Sequence, residues 1–341
     1  MRPLYSSDKT LFYAHDDLLS RPGPLLQIRT ATLAGGIPST NTQWTLPCSS
    51  KTARWRIIVS AYAIRHEGAT NITGIGPPRQ SGRKLYPRLG ELRALLFGYA
   101  GALAERHLAR RPSYEIVRWA EALDDLGSRF GNVTEVLEEP ALAEVEERTR
   151  RLLADIRHED TFVPHWAADS VLARLCYLAC RLTRPETVVE TGVAYGVSSA
   201  FMLRALKENG RGTLHSIDLP PLRRNYGKYW GIAVPEGLSG RWNLHRGTSA
   251  RVLPRLLEKT SAVDLFVHDS LHTHGNMRRE FDTVWPHLRN GALLLADDVE
   301  RNRAWGELRQ KNPTLWRVIK DRETSPLQGK AAPVVFGIAM K

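Results

Sequence analysis

The stretch VVETGVAYGVSSAF, residues 188–201, carries the reading of the whole chain. With Thr187 its first residues make a short apolar strand, TVVE over 187–190. A turn with two glycines follows, and SSAFMLRALKE (198–208) has the apolar spacing of a helix. Gly192 and Gly196 let the backbone turn tightly and come close to a ligand. Their spacing is G-x-x-x-G, not the G-x-G-x-x-G of dinucleotide binders, and no Lys-Ser/Thr pair follows as in a phosphate-cradling loop. Glu190 stands at the strand end just before the turn. A carboxylate there repels a pyrophosphate and attracts an ammonium group.

Downstream, short apolar strands alternate with helices. GTLHSID (212–218), WNLHR (242–246), VDLFVHD (263–269) and ALLLAD (292–297) read as strands. Helices separate them: one capped by Ser249, and one with Met277, Phe281, Val284, Trp285 and Leu288 on a single face. Asn290-Gly291 reads as the turn into 292–297. TLWRVIK (314–320) and PVVFGIAMK (333–341) lie too close for a helical crossover and read as an antiparallel pair. The pattern predicts an α/β fold with a mostly parallel sheet and helices on both faces. Upstream, residues 91–165 read as a helical leader or cap: a helix from Leu92 to Arg111, a second capped by Ser113 and ending near Gly127, and a third with Pro140 at its first position. A further helix covers about 168–183 and opens the main domain, 166–341. Residues 1–90 show no sustained period and read as an irregular, poorly packed basic arm.

The carboxyl ends of parallel strands line the ligand crevice of such a sheet. Asp218 ends the second strand, 28 residues after Glu190, where a carboxylate accepts bonds from both hydroxyls of a ribose. Glu190 and Asp218 together suit a nucleoside-like ligand with a cationic tail and no phosphate, a description that S-adenosylmethionine fits. The fourth strand ends in His268-Asp269 and the fifth in Asp297-Asp298. Three carboxylates in one crevice repel one another unless a cation sits among them, and oxygen ligands favour Mg²⁺, Ca²⁺ or Mn²⁺. His272, three residues past Asp269, is placed to be a general base. His274 reads as an ordinary surface-loop residue.

VVETGVAYGVSS, HSID, GTSARVLPRLL, DLFVHDSLHTHGNMRREFDTVWPHLRNGALLLADD and VVFGIAMK together resemble a class I S-adenosylmethionine-dependent methyltransferase over about 166–341. Within that class, D-x-x-H followed by an acid pair is similar to the metal-dependent sugar O-methyltransferases of macrolide biosynthesis. The resemblance implies a Rossmann-like sheet of order 3-2-1-4-5-7-6. It implies Mg²⁺ held by Asp269, Asp297 and Asp298, His272 as base, and a hydroxyl of a sugar moiety or natural product as acceptor. The cofactor set expected with it is Glu190, Thr191, Gly192, Tyr195, Gly196, Ser198, Asp218, Thr248, Ser249 and Asp269. Many relatives read D-G-D-H-x-Y where this chain has D-S-L-H-T-H, so Leu271 and His274 replace an acid and an aromatic residue.

Composition removes several rivals. Cys48, Cys176 and Cys180 are too few for a disulfide framework, and the last two read as core thiols of one helix. No apolar run approaches the ~18–20 residues of a membrane span, and an N-terminus with Asp8, Asp16 and Asp17 is no signal peptide, so the expected compartment is the cytoplasm. Net charge is 48 − 36 = +12, of which residues 1–90 supply 12 − 4 = +8. The basicity belongs to the arm, and no recognisable RNA-binding module or amino-group methylation site accompanies it, so nucleic acid is not the expected partner. Retention of the acid–histidine set argues against a non-catalytic binding protein, and the glycine spacing argues against a nicotinamide oxidoreductase. The link 219–241, with Tyr226, Tyr229 and Trp230, reads as an irregular loop near the crevice mouth. A homo-oligomer is compatible with the sequence, which does not specify one.

Overall fold

The computed structural model describes residues 111–156, 170–219, 224–321 and 334–341, together with helical backbone at positions 91, 94, 98, 101 and 105 and short strands within residues 2–60. Two compact units divide the chain, Met1–Asn71 and Ile72–Lys341. In the first, the strands pair into two three-stranded sheets. The side chains of residues 1–90, and with them the packing expected to be poor there, lie outside the described residues, as does Cys48.

In the second unit the sheet strands, numbered from residue 187, are β1 Thr187–Thr191, β2 Thr213–Asp218, β3 Trp242–Arg246, β4 Val263–His268, β5 Leu288–Asp297, β6 Leu315–Asp321 and β7 Val334–Met340. Their order is β3-β2-β1-β4-β5-β7-β6, parallel except for β7, which runs antiparallel to both β5 and β6. This is the expected 3-2-1-4-5-7-6 arrangement. An added two-residue strand, Ile116–Val117, pairs parallel with β6 at the far edge. The sequence reads those two residues as part of a helix starting at Ser113. The structure corrects this: the β-branched pair extends the sheet, and helix α1 begins only at Trp119 and runs to Phe130.

Helices α2 (Val133–Leu137) and α3 (Pro140–Asp155) follow, with Pro140 in the first turn as its missing N–H and fixed φ favour. Helix α4, Ser170–Thr183, is apolar nearly all round, and Val171, Leu172, Leu175, Cys176, Ala179 and Cys180 are fully or almost fully buried. Such a helix needs cover on both sides. It has the leader on one side and the sheet with α5 (Val197–Asn209) on the other, and all share one apolar cluster. Burial raises the Cys176 and Cys180 thiols, as suits core cysteines. The partly buried Glu139 of the leader accepts from Arg181 and from the Tyr177 hydroxyl, fastening α3 to α4.

A second cluster fills the opposite face. There α6 (Ser249–Leu257), α7 (His274–Val284) and α8 (Ala304–Leu308) bring Leu253, Met277, Phe281 and Trp305 against Val189, Phe266 and Leu294. Thr248, not Ser249, is the N-cap of α6, and β5 starts at Leu288, so that Asn290-Gly291 falls inside the strand. Among the described residues no helix is long and apolar enough to cross a membrane.

Parallel pairing aligns the strand ends. Arg246 faces Asp218, Ile217 faces Thr191, and His268 faces both Thr191 and Ala296. The carboxyl ends of β1 to β5 thus form one rim, and the sequence-predicted residues lie along it.

Candidate functional site

The glycine turn is tied into this rim by its backbone. Gly192 N–H donates to Ile217 at 2.9 Å, and Asp269 N–H donates to Thr191 at 2.8 Å. Gly192 has φ +87°, and a Cβ there would sit 2.0 Å from the Asp269 carbonyl oxygen. Only glycine lets β1 and β4 end this close. Gly196, at φ +79°, opens α5 and approaches Gly231 closely.

Beneath the turn lies Glu190, fully buried. Ser199 Oγ donates to its Oε2 at 2.6 Å, Ser216 Oγ to the same oxygen at 2.7 Å, and Ser198 Oγ to Oε1. Trp242 Nε1 donates in turn to Ser216. Burial, more than offsetting these bonds, raises the carboxyl to about 7. The sequence reading sets Glu190 toward an ammonium group; in the structure it is enclosed by serine hydroxyls and shapes the turn from within. Thr191, Tyr195 and Ser198 are likewise buried, with Thr191 donating to Glu280 and Tyr195 edge-on to Tyr229. Thr248 and Ser249 remain half-buried at the start of α6.

Asp218 is half-buried and carries four hydrogen bonds. Oδ2 accepts from Val193 N and Ala194 N, each at 3.1 Å, and from Trp230 Nε1 at 2.9 Å, while Oδ1 accepts from Leu219 N at 2.7 Å. Burial raises its pKa against these donors.

The acid–histidine residues converge as expected. His272 Nε2 lies 3.7 Å from Asp269 Oδ1 and 3.9 Å from Asp297 Oδ2, and Nδ1 lies 3.3 Å from Asp298 Oδ2. All four side chains are about a fifth exposed. Asp298, in the left-handed region at φ +52°, also pairs with Arg301 at 2.7 Å. Burial and then the neighbouring carboxylates push Asp269 and Asp297 well above the usual range, while Arg301 moderates the rise at Asp298. Burial, and then the neighbouring His268 and Arg301, push the His272 imidazole well below its ordinary range. With Nδ1 facing Asp298, the ring proton belongs on Nδ1, and the buried Nε2 has no hydrogen-bond partner.

Single donor atoms of Asp269, His272 and Asp297 lie within 4.8 Å of one another. Donors about 2.0–2.2 Å from a shared cation lie roughly 3–4 Å apart, so the Asp269 and Asp297 oxygens could share a divalent ion with His272 Nε2 left free beside them. Asp298 is outside that group, its carboxylate turned to Arg301 and to the far side of the imidazole.

Behind the cluster is a centre the sequence reading missed. Glu280, 1% exposed, takes His268 Nδ1 at 2.7 Å and Thr191 Oγ1 at 2.6 Å on Oε2, and Ser270 Oγ at 2.9 Å and Asn276 Nδ2 at 3.0 Å on Oε1. Burial opposes ionisation there, but the charge and hydrogen bond of His268, with the hydroxyl bonds, pull Glu280 down to about 2. The carboxylate ties the ends of β1 and β4, the loop after β4 and α7 together. Its only sequence signal is a glutamate one turn beyond Asn276 among apolar α7 positions. His274, read as a loop residue, instead begins α7 and meets Glu307 at 3.0 Å.

Positions 91, 98 and 105 of the leader border the same rim. Glu91 pairs with Arg246 at 2.8 Å, a Cβ on Gly98 would touch Leu271 at 2.9 Å, and Glu105 accepts from His274 N at 2.7 Å. The Leu271 side chain lies close against Gly98 of the leader.

Residues 189–299 match a family described as "Methyltransferase domain". That interval holds Glu190, Asp218, Asp269, His272, Asp297 and Asp298. No curated protein matches the sequence. Among solved structures, the chain is similar to the O-methyltransferase TomG from Streptomyces achromogenes, involved in tomaymycin synthesis and solved with S-adenosylmethionine. Identity is 19% and the TM-score 0.42, over 67% of this chain and 99% of that one. It is also similar to an O-methyltransferase from Bacillus cereus solved with S-adenosylhomocysteine, at 13% identity and TM-score 0.42, over 64% of this chain and 100% of that one.

Proposed function

We propose that this chain, which carries a class I S-adenosylmethionine-dependent methyltransferase domain, transfers the methyl group to a hydroxyl of a small molecule such as a sugar moiety or another natural product. The observation that carries the reading is the position of His272, whose buried Nε2 has no hydrogen-bond partner and faces Asp269 and Asp297 at the rim.

Methyl transfer from a sulfonium is an in-line displacement. The donor is already activated, so the protein must align nucleophile, methyl carbon and sulfur and take up one proton. Asp218 and the glycine turn hold the nucleoside end of the donor. His272 Nε2 accepts the proton of the acceptor hydroxyl. Asp298 keeps the imidazole in the tautomer that leaves Nε2 open, as a carboxylate behind a working histidine does. Asp269 and Asp297 would hold a divalent cation, with Mg²⁺ as the expected ion. When bound there, a cation lowers the pKa of an acceptor hydroxyl and fixes its direction. An acidic rim also disfavours a phosphodiester backbone, which supports a small acceptor over RNA.

Calorimetric titration tests the donor assignment. S-adenosylmethionine should bind and NAD should not, and Asp218→Ala should weaken the former by about 1–3 kcal/mol through lost charge-assisted bonds. Labelled methyl transfer to hydroxyl-bearing acceptors tests the reaction. Chelation should abolish turnover and leave S-adenosylmethionine binding intact; full turnover after chelation would show that the acids act without a cation.

A further inference from the structure

Asp218 has too little acceptor capacity left for both hydroxyls of a ribose. An ionised carboxylate offers about two lone-pair positions on each oxygen; Oδ2 already accepts from three donors and Oδ1 from one, which leaves a single open position, on Oδ1. Three are backbone groups that cannot leave cheaply. Leu219 N belongs to the residue after Asp218, while Val193 N and Ala194 N belong to the glycine turn. That turn is locked by Gly192 against Asp269 and by Ala194 at φ +44°. The fourth donor, Trp230 Nε1, is the only side chain among them.

We infer that Trp230 is a component of the cofactor site: its indole N–H stands on Asp218 where a ribose hydroxyl binds, and cofactor entry exchanges one for the other. The inference rests on the reading of Asp218 as the ribose anchor. Trp230 sits between two short helical turns, Arg224–Tyr229 and Glu236–Arg241, in the link between β2 and β3. It is 5% exposed, so its ring fills space beside Asp218 rather than lying on the surface. The indole N–H gives Asp218 one donor, as a single ribose hydroxyl would. Without a ligand, the indole completes the donor set of this half-buried carboxylate. Gly231 N donates to Ala194 O and Ala233 N to Tyr195 O, each at 2.8 Å, so the segment after Trp230 is docked on the turn. The exchange therefore moves the indole, not the whole link.

Calorimetry with S-adenosylmethionine, comparing wild type, Trp230→Phe and Asp218→Ala, tests the exchange. Phenylalanine keeps a ring but offers no donor, so Trp230→Phe should bind about tenfold more tightly, the scale of one hydrogen bond to a charged group. Asp218→Ala should bind more weakly. Equal or weaker binding by Trp230→Phe, with wild type binding normally, overturns the exchange alone. No binding by folded wild type overturns the cofactor reading and the exchange together. A crystal structure of wild type with S-adenosylhomocysteine decides the matter without a variant. A ribose hydroxyl on Asp218 with the indole nitrogen out of bonding distance supports the exchange. An intact Trp230–Asp218 bond beside the bound ligand refutes it.

Discussion

Glu190 holds its proton to about pH 7 because burial outweighs its three serine donors. Between its ordinary value of 4.5 and 7, the folded protein retains a proton that the unfolded chain releases. Stability from this group is therefore complete below pH 4.5 and is lost as pH rises through 7, by something on the order of 3 kcal/mol. Glu190→Gln keeps the shape and removes the titration. Urea unfolding at pH 5 and pH 8 should show the wild type losing more stability than the variant; equal losses would refute the assignment. For His272→Ala, turnover should fall about 10²–10⁴-fold, the usual worth of a positioned base, with S-adenosylmethionine affinity unchanged. A single-turnover assay reads the first and calorimetry the second. Residue identities at the strand ends were legible in the sequence; the directions of their side chains were not. Glu190 is enclosed because Ser216 is its cross-strand partner on β2, and that register exists only once the strands pair. Glu280 escaped notice for the same reason, since its partners come from β1, β4, the loop after β4 and its own helix.

The order of elements from β1 to β7 was legible because short apolar runs alternate with helical patterns and are punctuated by glycine and proline. Ile116–Val117 was not, since two β-branched residues gain a strand identity only from the edge of β6. The turn after β1 makes the sharpest prediction at this scale. Gly192→Ala meets both a left-handed φ and the Asp269 carbonyl at 2.0 Å, and should cost at least about 3 kcal/mol or prevent folding. Gly210→Ala, with φ +70° but nothing within 4 Å, should cost only about 1–2 kcal/mol. Denaturant unfolding ranks the two, and similar costs would mean that the β1–β4 contact is looser than described.

Across the molecule, the leader and the sheet share one core, whereas Met1–Asn71 forms its own compact unit. Deleting residues 1–71 should leave a cooperative melting transition and S-adenosylmethionine binding; loss of the transition would show that the arm supports the fold. Deletion through residue 157 should abolish folding, because it strips Ala122, Leu126, Leu142 and Val145 from the cluster around α4 and Ile116–Val117 from the edge of β6. The division of charge was readable from the sequence alone, +8 in residues 1–90 against 36 − 32 = +4 in the rest, and it leaves an acidic rim on a nearly balanced domain. On that rim we propose a nucleoside donor at Asp218 and the glycine turn, and a cation at Asp269 and Asp297 beside His272. The most direct test is an anomalous difference map from crystals grown with S-adenosylhomocysteine and Mn²⁺. It should place a metal peak between Asp269 and Asp297, with the ligand's ribose at Asp218. A bound ligand elsewhere on the sheet, or metal only at sites away from these carboxylates, would contradict it.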